Sequence, residues 1–159
     1  MSGVKAAGAL LMIAAALAWG ISRIVRERAQ RARAEGFLSL LRHIRVQIDC
    51  FSMPIGAILA GADKALLAAC GVRDRSPADF GVLLAASAEA LSPAAYATLS
   101  AFERELGVHL RAEQLRLCDR HLKELEGLCD RARADASRRE GLLLLLPPAL
   151  AGILVLLLL

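Results

Sequence analysis

The residues of this chain best suited to chemistry are its four cysteines and three histidines, and three of these lie close together. Cys118 and His121 are three residues apart, and Cys129 follows eight residues after the histidine. On a helix all three would lie near one face, where thiolates and imidazoles can bind zinc. The spacing matches no paired C-x-x-C zinc motif, so we interpret them as small residues of a packing face. A metal site formed by these three residues is the alternative.

Other catalytic patterns are missing from the sequence. It has neither a G-x-x-x-x-G-K-[ST] phosphate loop nor a G-x-G-x-x-G motif. His43, His109 and His121 have no readable Ser or Cys nucleophile as a partner. Glu103 and Glu105 point in different directions on a helix and form no catalytic carboxylate pair. The sequence therefore predicts a protein that is not an enzyme, with no catalytic residue, no cofactor and no small-molecule substrate.

Two apolar segments stand at either end of the charged part of the chain. Residues 142–159 carry no charge, and 18 residues of helix are about 27 Å long, near the thickness of a hydrocarbon core. Residues 4–25 form a second, alanine-rich segment. A buried core helix is the alternative for the former, and a signal peptide cleaved near Ala16-Leu17-Ala18 is the alternative for the latter. We predict two transmembrane helices, 4–25 and 142–159.

Arginines indicate the orientation of both predicted spans. A run of arginines follows the first span instead of preceding it, which disfavours a signal peptide, and four more arginines precede the second span. Positively charged flanks remain in the cytoplasm. Both spans therefore predict the same membrane topology, with the termini outside and residues 26–140 in the cytoplasm.

The second span contains a proline pair that interrupts helix hydrogen bonding. Pro147 and Pro148 lack N–H groups and leave carbonyls that need other partners within lipid. We predict a helix–helix contact here, with Ala149 and Gly152 as the small residues for close approach. A kinked helix near the cytoplasmic interface is the alternative.

The predicted cytoplasmic domain is nearly neutral. The chain has 20 basic and 16 acidic residues, and without Lys5 and Arg23 the basic residues number 18. Because the domain has few aromatic residues and no basic stripe, the sequence argues against nucleic-acid binding. The basic balance of the chain is mainly a signal of membrane topology.

Helix start and stop signals occur throughout this domain, and no alternation of apolar and polar residues predicts a strand. The first helix should continue beyond its span and bury Phe37, Leu40 or Leu41, Ile44 and Ile48. A helix should follow from Pro54 to Gly71, another from the N-cap Ser76 with Pro77 and Asp79, and another from Ser92 and Pro93 to Gly107.

The longest helix should begin at Val108 or His109 and feed into the second span. One face of it carries Leu110, Gln114, Leu117, His121, Leu125, Leu128 and Ala132. We predict an all-α fold, an antiparallel helical bundle between an N-terminal and a C-terminal transmembrane helix.

The C-terminal half resembles the stage III sporulation protein AB family. The resemblance rests on Phe102 with Glu105-Leu106-Gly107, then on Gln114, His121, Leu125-Glu126 and Ala132, and on Ala151-Gly152 in the last span. The resemblance extends over the whole chain through Trp19 in the first span and through the arrangement of one predicted span at each end. The proline pair and the alanine-rich first span depart from the family's pattern.

The resemblance implies a structural adaptor in a sporulation export-like complex between mother cell and forespore. The domain would be similar to the cytoplasmic domain of type II secretion system F platform proteins. Its partners would be a cytosolic secretion-type ATPase and other membrane subunits, on the mother-cell side of the outer forespore membrane. Apart from the resemblance, the mixed charge of the longest helix offers Arg111, Arg116, Arg120 and Lys123 as candidate docking residues, and an ordinary solvated face is the alternative. A membrane-anchored regulatory module that senses a cytoplasmic ligand is the alternative.

Overall fold

Six α-helices account for most of the described chain in the computed structural model. The structure describes the backbone of residues 2–51, 53–72, 77 and 79–158, and the side chains of residues 18–51, 53–72, 77 and 79–139. The helices are α1 (Ser2–Phe51), α2 (Ile55–Ala60), α3 (Lys64–Ala69), α4 (Phe80–Ala86), α5 (Pro93–Glu105) and α6 (Arg111–Leu158), with a 3₁₀ helix at Ala88–Ala90. No strand occurs in this part of the chain, and the all-α prediction is confirmed.

The two long helices run antiparallel and form the frame of the fold. Glu27 contacts Arg139 near one end of the pair, and Asp49 contacts Arg111 near the other. Helix α3 packs on α1, α5 packs on α6, and α4 packs on α5. The short helices therefore cover one side of the α1–α6 pair, because each is too short to bury an apolar face alone.

The core is apolar and centred on three phenylalanines. Phe37 of α1, Phe80 of α4 and Phe102 of α5 are fully buried, and their rings meet edge to face. The predicted inner face of α1 is confirmed, because Phe37, Leu40, Leu41, Ile44 and Ile48 are all buried. On α6 the prediction is confirmed for Gln114, Leu117, His121 and Leu125, whereas Leu110 is 80% exposed.

Helix α4 begins later than the sequence predicts. Its N-cap is Asp79, whose carboxylate accepts a hydrogen bond from the Phe80 N–H at 2.6 Å. Aspartate caps a helix as well as serine does, and a start at Phe80 buries that ring completely. The prediction of a helix that starts at Pro77 is therefore wrong, and its predicted cap Ser76 lies outside the described residues.

The single helix predicted from Pro54 to Gly71 is two helices. Gly61 ends α2, and Asp63 caps α3 by accepting a hydrogen bond from the Ala65 N–H at 3.1 Å. Glycine weakens a helix interior, and the aspartate side chain offers the backbone a new start. The predicted stop is confirmed, because Gly71 has a φ of +104° and follows Cys70, the C-cap of α3.

Helix α5 begins and ends as predicted. The Ser92 hydroxyl accepts from the Ala95 N–H at 3.3 Å, and Gly107 has a φ of +81° in the turn that follows. Helix α6 begins at Arg111 instead of Val108 or His109, and with 48 residues it is slightly shorter than α1 with 50. Leu110 precedes the helix, and its carbonyl accepts the first helical hydrogen bond from the Gln114 N–H at 2.8 Å.

The two predicted transmembrane segments lie within the long helices, at the start of α1 and at the end of α6. Most of their side chains, including those of Pro147, Pro148, Ala149 and Gly152, lie outside the described residues. Among the residues that are described, no helix is both long and apolar enough to cross a membrane. The spans and their packing residues stay predictions.

Candidate docking surface

The four candidate docking residues differ in what they contact. The Arg111 guanidinium donates to the backbone carbonyl of Asp49 and lies 3.3 Å from its carboxylate. Arg120 donates to both carboxylate oxygens of Glu105, at 3.0 and 3.2 Å. Arg116 and Lys123 are exposed, and neither forms a hydrogen bond or ion pair with another described residue.

Three of these residues form one row along α6. Arg116, Arg120 and Lys123 are spaced by four and three residues, which places them on one helix face. We call these three residues the α6 basic stripe. Arg111 is turned away from the stripe toward the end of α1, where it joins the two long helices. The structure therefore brings three of the four predicted residues together and gives Arg111 a contact within the bundle.

A cleft borders the α6 basic stripe where α5 ends. It has a volume of about 360 Å³ and is lined by Glu105, His109, Glu113, Arg116, Leu117 and Arg120. Its two carboxylates balance its two arginines. The cleft is therefore no anion site by charge alone, and the positive charge of the stripe is least compensated at Arg116 and Lys123.

Ion pairs connect α1 and α6 along their whole described contact. We call the following five contacts the ion-pair ladder, with the shortest distance of each: Glu27–Arg139 at 2.7 Å, Glu35–Arg133 at 2.7 Å, Arg42–Glu126 at 2.6 Å, Arg45–Asp119 at 2.6 Å and Asp49–Arg111 at 3.3 Å. All ten side chains are at least one-third exposed. Exposed pairs of this kind each contribute little to the stability of the fold, at most about 1 kcal/mol.

The order of charges in the ladder fixes how the two helices align. Along α1 the signs run minus, minus, plus, plus, minus, and along α6 the partners carry the opposite sign at each position. A displacement of seven residues in one direction would bring Glu35 opposite Glu126. The same displacement in the other direction would bring Arg42 opposite Arg133. Either shift separates all five pairs, although the first would also bring Arg42 opposite Asp119. The ladder therefore favours the observed register through the sum of its pairs, and its charge order is a sequence signal that our sequence analysis missed.

Glu27 is the most connected carboxylate of the ladder. It accepts hydrogen bonds from Arg23 at 3.2 Å and from Arg139 at 2.7 and 2.9 Å. Slight burial alone would raise the pKa of Glu27, but the two arginines lower it below its ordinary value of 4.5. Stability from this group is therefore present above pH 4.5 and is lost as the pH falls through the lowered pKa of the folded state.

His121 and Gln114 are buried polar residues of α6. The Gln114 side-chain oxygen accepts from the Gly107 N–H at 3.1 Å and ties the α5–α6 turn to the helix. The His121 ring packs edge to face on Phe102, with centroids 5.6 Å apart, and its Nε2 lies 3.3 Å from the Arg120 guanidinium. Burial lowers the pKa of His121, so its neutral form is favoured in the fold.

Three of the four cysteines are packing residues. Cys70, Cys118 and Cys129 are buried, and Cys50 is exposed. Burial raises the pKa of Cys70 to about 12 and that of Cys118 to about 11, which disfavours the thiolate that binds metals. Among the described residues, no group of three histidine, cysteine or acidic side chains is arranged to hold a metal ion.

Arg33 has a role that the sequence analysis missed. Its guanidinium donates to the carbonyls of Ala68 and Ala69, at 3.3 and 3.0 Å, at the end of α3. A positive charge at a helix C-terminus satisfies carbonyls that lack helical partners. No local pattern predicts this contact, because its partners are 35 and 36 residues away in the sequence.

A small cavity lies between α1 and α6, next to the start of α5. Its volume is about 190 Å³, and small apolar residues such as Ala34, Ala95 and Ala132 line it. The Glu27–Arg139 pair lies at its edge. Typical ligand pockets measure about 300–1,000 Å³, so this cavity suits only a small ligand.

In comparisons with known proteins, no family model matches this chain, and no curated protein or solved structure is similar to it.

Proposed function

We propose that the chain is a structural adaptor of a sporulation export-like complex, which docks a cytosolic ATPase onto a membrane ring. Its two end segments would anchor it, and its helical domain would lie in the cytoplasm of the mother cell. The resemblance described above supplies the identity of the complex. The physical support comes from the arrangement of charges on the domain.

The observation that carries the proposal is a difference in pairing between two groups of basic residues. One group is Arg116 and Lys123, and the other is the arginines of the ion-pair ladder. Arg42, Arg45 and Arg111 form pairs within the chain, whereas Arg116 and Lys123 are exposed without a partner among the described residues. Unpaired charges on a helix can steer an acidic protein surface without first breaking an ion pair within the chain. Two anchoring helices would hold such a surface at a fixed height above the membrane.

Charge reversal tests the docking surface. We expect Arg116→Glu and Lys123→Glu, made together, to reduce co-purification of the ATPase with the full chain at least severalfold. Lys64→Glu is the matched control, because Lys64 is exposed on α3, which packs on α1. Docking by the α6 basic stripe is wrong if the double variant and the control retain the same amount of ATPase.

Thiol labelling tests the topology. Cys50 is the exposed cysteine at the end of α1, whereas the other three cysteines are buried. In intact cells we expect a membrane-impermeant maleimide to leave Cys50 unmodified, and to modify it after the cells are opened. Labelling of Cys50 in intact cells would put the domain outside the cytoplasm and would rule out a cytosolic ATPase as its partner.

A membrane-anchored regulatory module that senses a cytoplasmic ligand is the second candidate, and the cavity between α1 and α6 supports it. Its volume of about 190 Å³ would accept only a few non-hydrogen atoms. If this function holds, a small cytoplasmic metabolite should raise the melting temperature of the full chain. Ala132→Leu should abolish that rise by filling the cavity, because Ala132 lines it.

A further inference from the structure

Positive charge is concentrated at one end of the α1–α6 pair. Residues 23–33 contain five arginines and one glutamate, and residues 131–139 contain four arginines and one aspartate. We call these nine arginines the arginine collar. Together with the two carboxylates it carries a net charge of +7, whereas the whole chain carries +4. The rest of the chain is therefore net negative, at −3.

The two stretches form a single surface. Arg139 donates to both carboxylate oxygens of Glu27, at 2.7 and 2.9 Å, and Arg133 contacts Glu35 at 2.7 Å. These contacts hold residues 23–33 of α1 beside residues 131–139 of α6. Residues 23–33 overlap the end of the predicted span 4–25, and two residues separate residues 131–139 from the predicted span 142–159.

Part of the arginine collar has no partner within the bundle. Arg26, Arg131 and Arg138 are exposed, and none of the three forms a hydrogen bond or ion pair with another described residue. Farther along the same helices, Arg42, Arg45 and Arg111 are paired with carboxylates. Three of the described guanidinium groups without a partner therefore lie at the end nearest the predicted spans, whereas a fourth, that of Arg116, lies toward the other end of α6.

Large apolar side chains are exposed directly beside these arginines. Trp19 is 68% exposed, Ile21 is 61% exposed and Val25 is 60% exposed. The Arg23 guanidinium lies 5.9 Å from the centroid of the indole ring. Tryptophan next to arginine is typical of the boundary between lipid headgroups and hydrocarbon, because the ring is amphipathic and the guanidinium binds phosphate.

A cleft between α1 and the start of α5 opens at the same level. It has a volume of about 520 Å³, and Arg23 and Arg26 lie on one wall with Leu91 and Pro93 on the other. Glu27 and Glu89 also line it, but Glu27 is already bound by Arg23 and Arg139. The cleft has room for a phospholipid headgroup, but Glu27 and Glu89 balance its two arginines, so the excess positive charge that would attract a lipid phosphate lies in the rest of the arginine collar.

We propose that the arginine collar binds anionic phospholipid headgroups, so that acidic lipids collect around the point where α1 and α6 enter the bilayer. This inference rests on the membrane anchoring in the proposed function. A lipid surface fits better than a soluble acidic protein, because the arginines lie beside exposed Trp19, Ile21 and Val25 at the predicted membrane boundary. The phosphate is recognised as part of a lipid, and free phosphate should not replace it.

Trp19 is the single tryptophan of the chain and provides an intrinsic probe at this site. The full chain is reconstituted in phosphatidylcholine vesicles that contain the same mole fraction of either brominated phosphatidylglycerol or brominated phosphatidylcholine. Bromine quenches tryptophan fluorescence on contact. We expect the anionic quencher to be enriched several-fold around Trp19, and the enrichment to fall at high salt because exposed charges are screened.

Position along the helix provides a matched control. Arg138 lies four residues before residue 142, about 6 Å of helix, and Arg131 lies about 16 Å before it. The two arginines share one face of α6, being seven residues apart. Since the Debye length is about 8 Å at physiological salt, only the nearer one should act strongly on lipid.

We therefore expect Arg26→Gln with Arg138→Gln to lower the enrichment of anionic lipid about fivefold or more, and Arg131→Gln to change it less than twofold. Circular dichroism checks that each variant keeps its helix content. Free inorganic phosphate should leave the quenching unchanged, and a loss of enrichment on adding it would overturn the assignment to lipid.

The outcomes separate this inference from the proposed function. Equal quenching by both brominated lipids would overturn the lipid preference and leave the anchored adaptor standing. If neither lipid quenches Trp19, both the lipid inference and the membrane anchoring are wrong. An equal effect of Arg131→Gln and of the double variant would overturn the assignment to the membrane-proximal end of the collar.

Discussion

Helix α1 contacts the rest of the molecule through two regions that differ in chemistry. On one side, Phe37 is fully buried and meets Phe80, with ring centroids 6.1 Å apart. On the other side, Glu35 and Arg42 form ion pairs with α6 that are about half exposed. Apolar burial contributes about 25 cal/mol per Å², whereas exposed ion pairs contribute little. We therefore expect the side of α1 that carries Phe37, the aromatic side, to determine the stability of the domain. The side that carries Glu35 and Arg42, the charged side, should determine the register of α1 against α6.

Removal of the central ring should produce the largest effect. Phe80 is fully buried and touches both Phe37 and Phe102, whose centroids lie 6.1 and 5.4 Å from its own. We expect Phe80→Ala to destabilise the domain by about 3–5 kcal/mol, because it removes buried area and leaves a cavity. Thermal unfolding of the full chain, followed by circular dichroism, measures the loss.

Val82 supplies the control on the same helix, since it is 60% exposed. Val82→Ala should change the stability by less than about 0.5 kcal/mol. If both variants melt at the same temperature, the aromatic side does not dominate the stability of the domain.

A glycine pair should give effects of opposite sign. A Cβ atom at Gly36 would lie 2.6 Å from the Ala69 carbonyl oxygen of α3, whereas a Cβ atom at Gly127 would meet nothing within 4 Å. We expect Gly36→Ala to destabilise by about 1–3 kcal/mol because two backbones must separate. Gly127→Ala should stabilise by up to about 1 kcal/mol through helix propensity.

The same unfolding measurement, run on both glycine variants, decides the point. Stabilisation by Gly36→Ala would mean that α1 and α3 do not approach closely.

The pH should act on the aromatic side through His121. Burial lowers its pKa below the ordinary value of 6.5, so the unfolded chain binds the proton more tightly than the folded one. The stabilisation by neutral His121 is therefore complete above pH 6.5 and is lost as the pH falls below it. His121→Gln should flatten this part of the stability–pH profile.

His109 is the control for the titration, because it is exposed at the start of α6. Stability profiles of the two glutamine variants between neutral pH and pH 5 provide the measurement. Buried His121 would not be the titrating group if His109→Gln flattened the profile and His121→Gln did not.

Some features of this fold could be predicted from the sequence and others could not. Apolar spacing predicted the buried face of α1, and the Ser92-Pro93 pair predicted the start of α5, because both signals are local. Asp79 was mistaken for the third residue after the N-cap, since Ser76-Pro77 offered an equally good local start. Arg33 could not be placed, because its partners in α3 depend on the tertiary contact.

The candidate docking residues show the same limit. The sequence analysis named Arg111, Arg116, Arg120 and Lys123 together, and helical spacing places only the last three on one face. It could not predict that Arg120 would be held by Glu105 or that Arg111 would contact Asp49, because pairing depends on which helices are neighbours. Complementary charge order along two helices is the signal that would have predicted the Asp49 contact.

The smallest expected effect belongs to a single pair of the ladder. Arg42 and Glu126 are 2.6 Å apart, with side chains 56% and 43% exposed. Arg42→Glu and Glu126→Arg each place like charges side by side, and the swapped double variant restores the attraction. We expect a coupling energy of about 0.2–1 kcal/mol from this double-mutant cycle, reduced at high salt. If the effects of the two single variants on the free energy of unfolding are strictly additive, the pair is not coupled. The ion-pair ladder would then have no role in setting the register of α1 against α6. A small coupling is sufficient to help set the register, because a seven-residue shift separates all five ion pairs at once, while the energy of any one pair stays low.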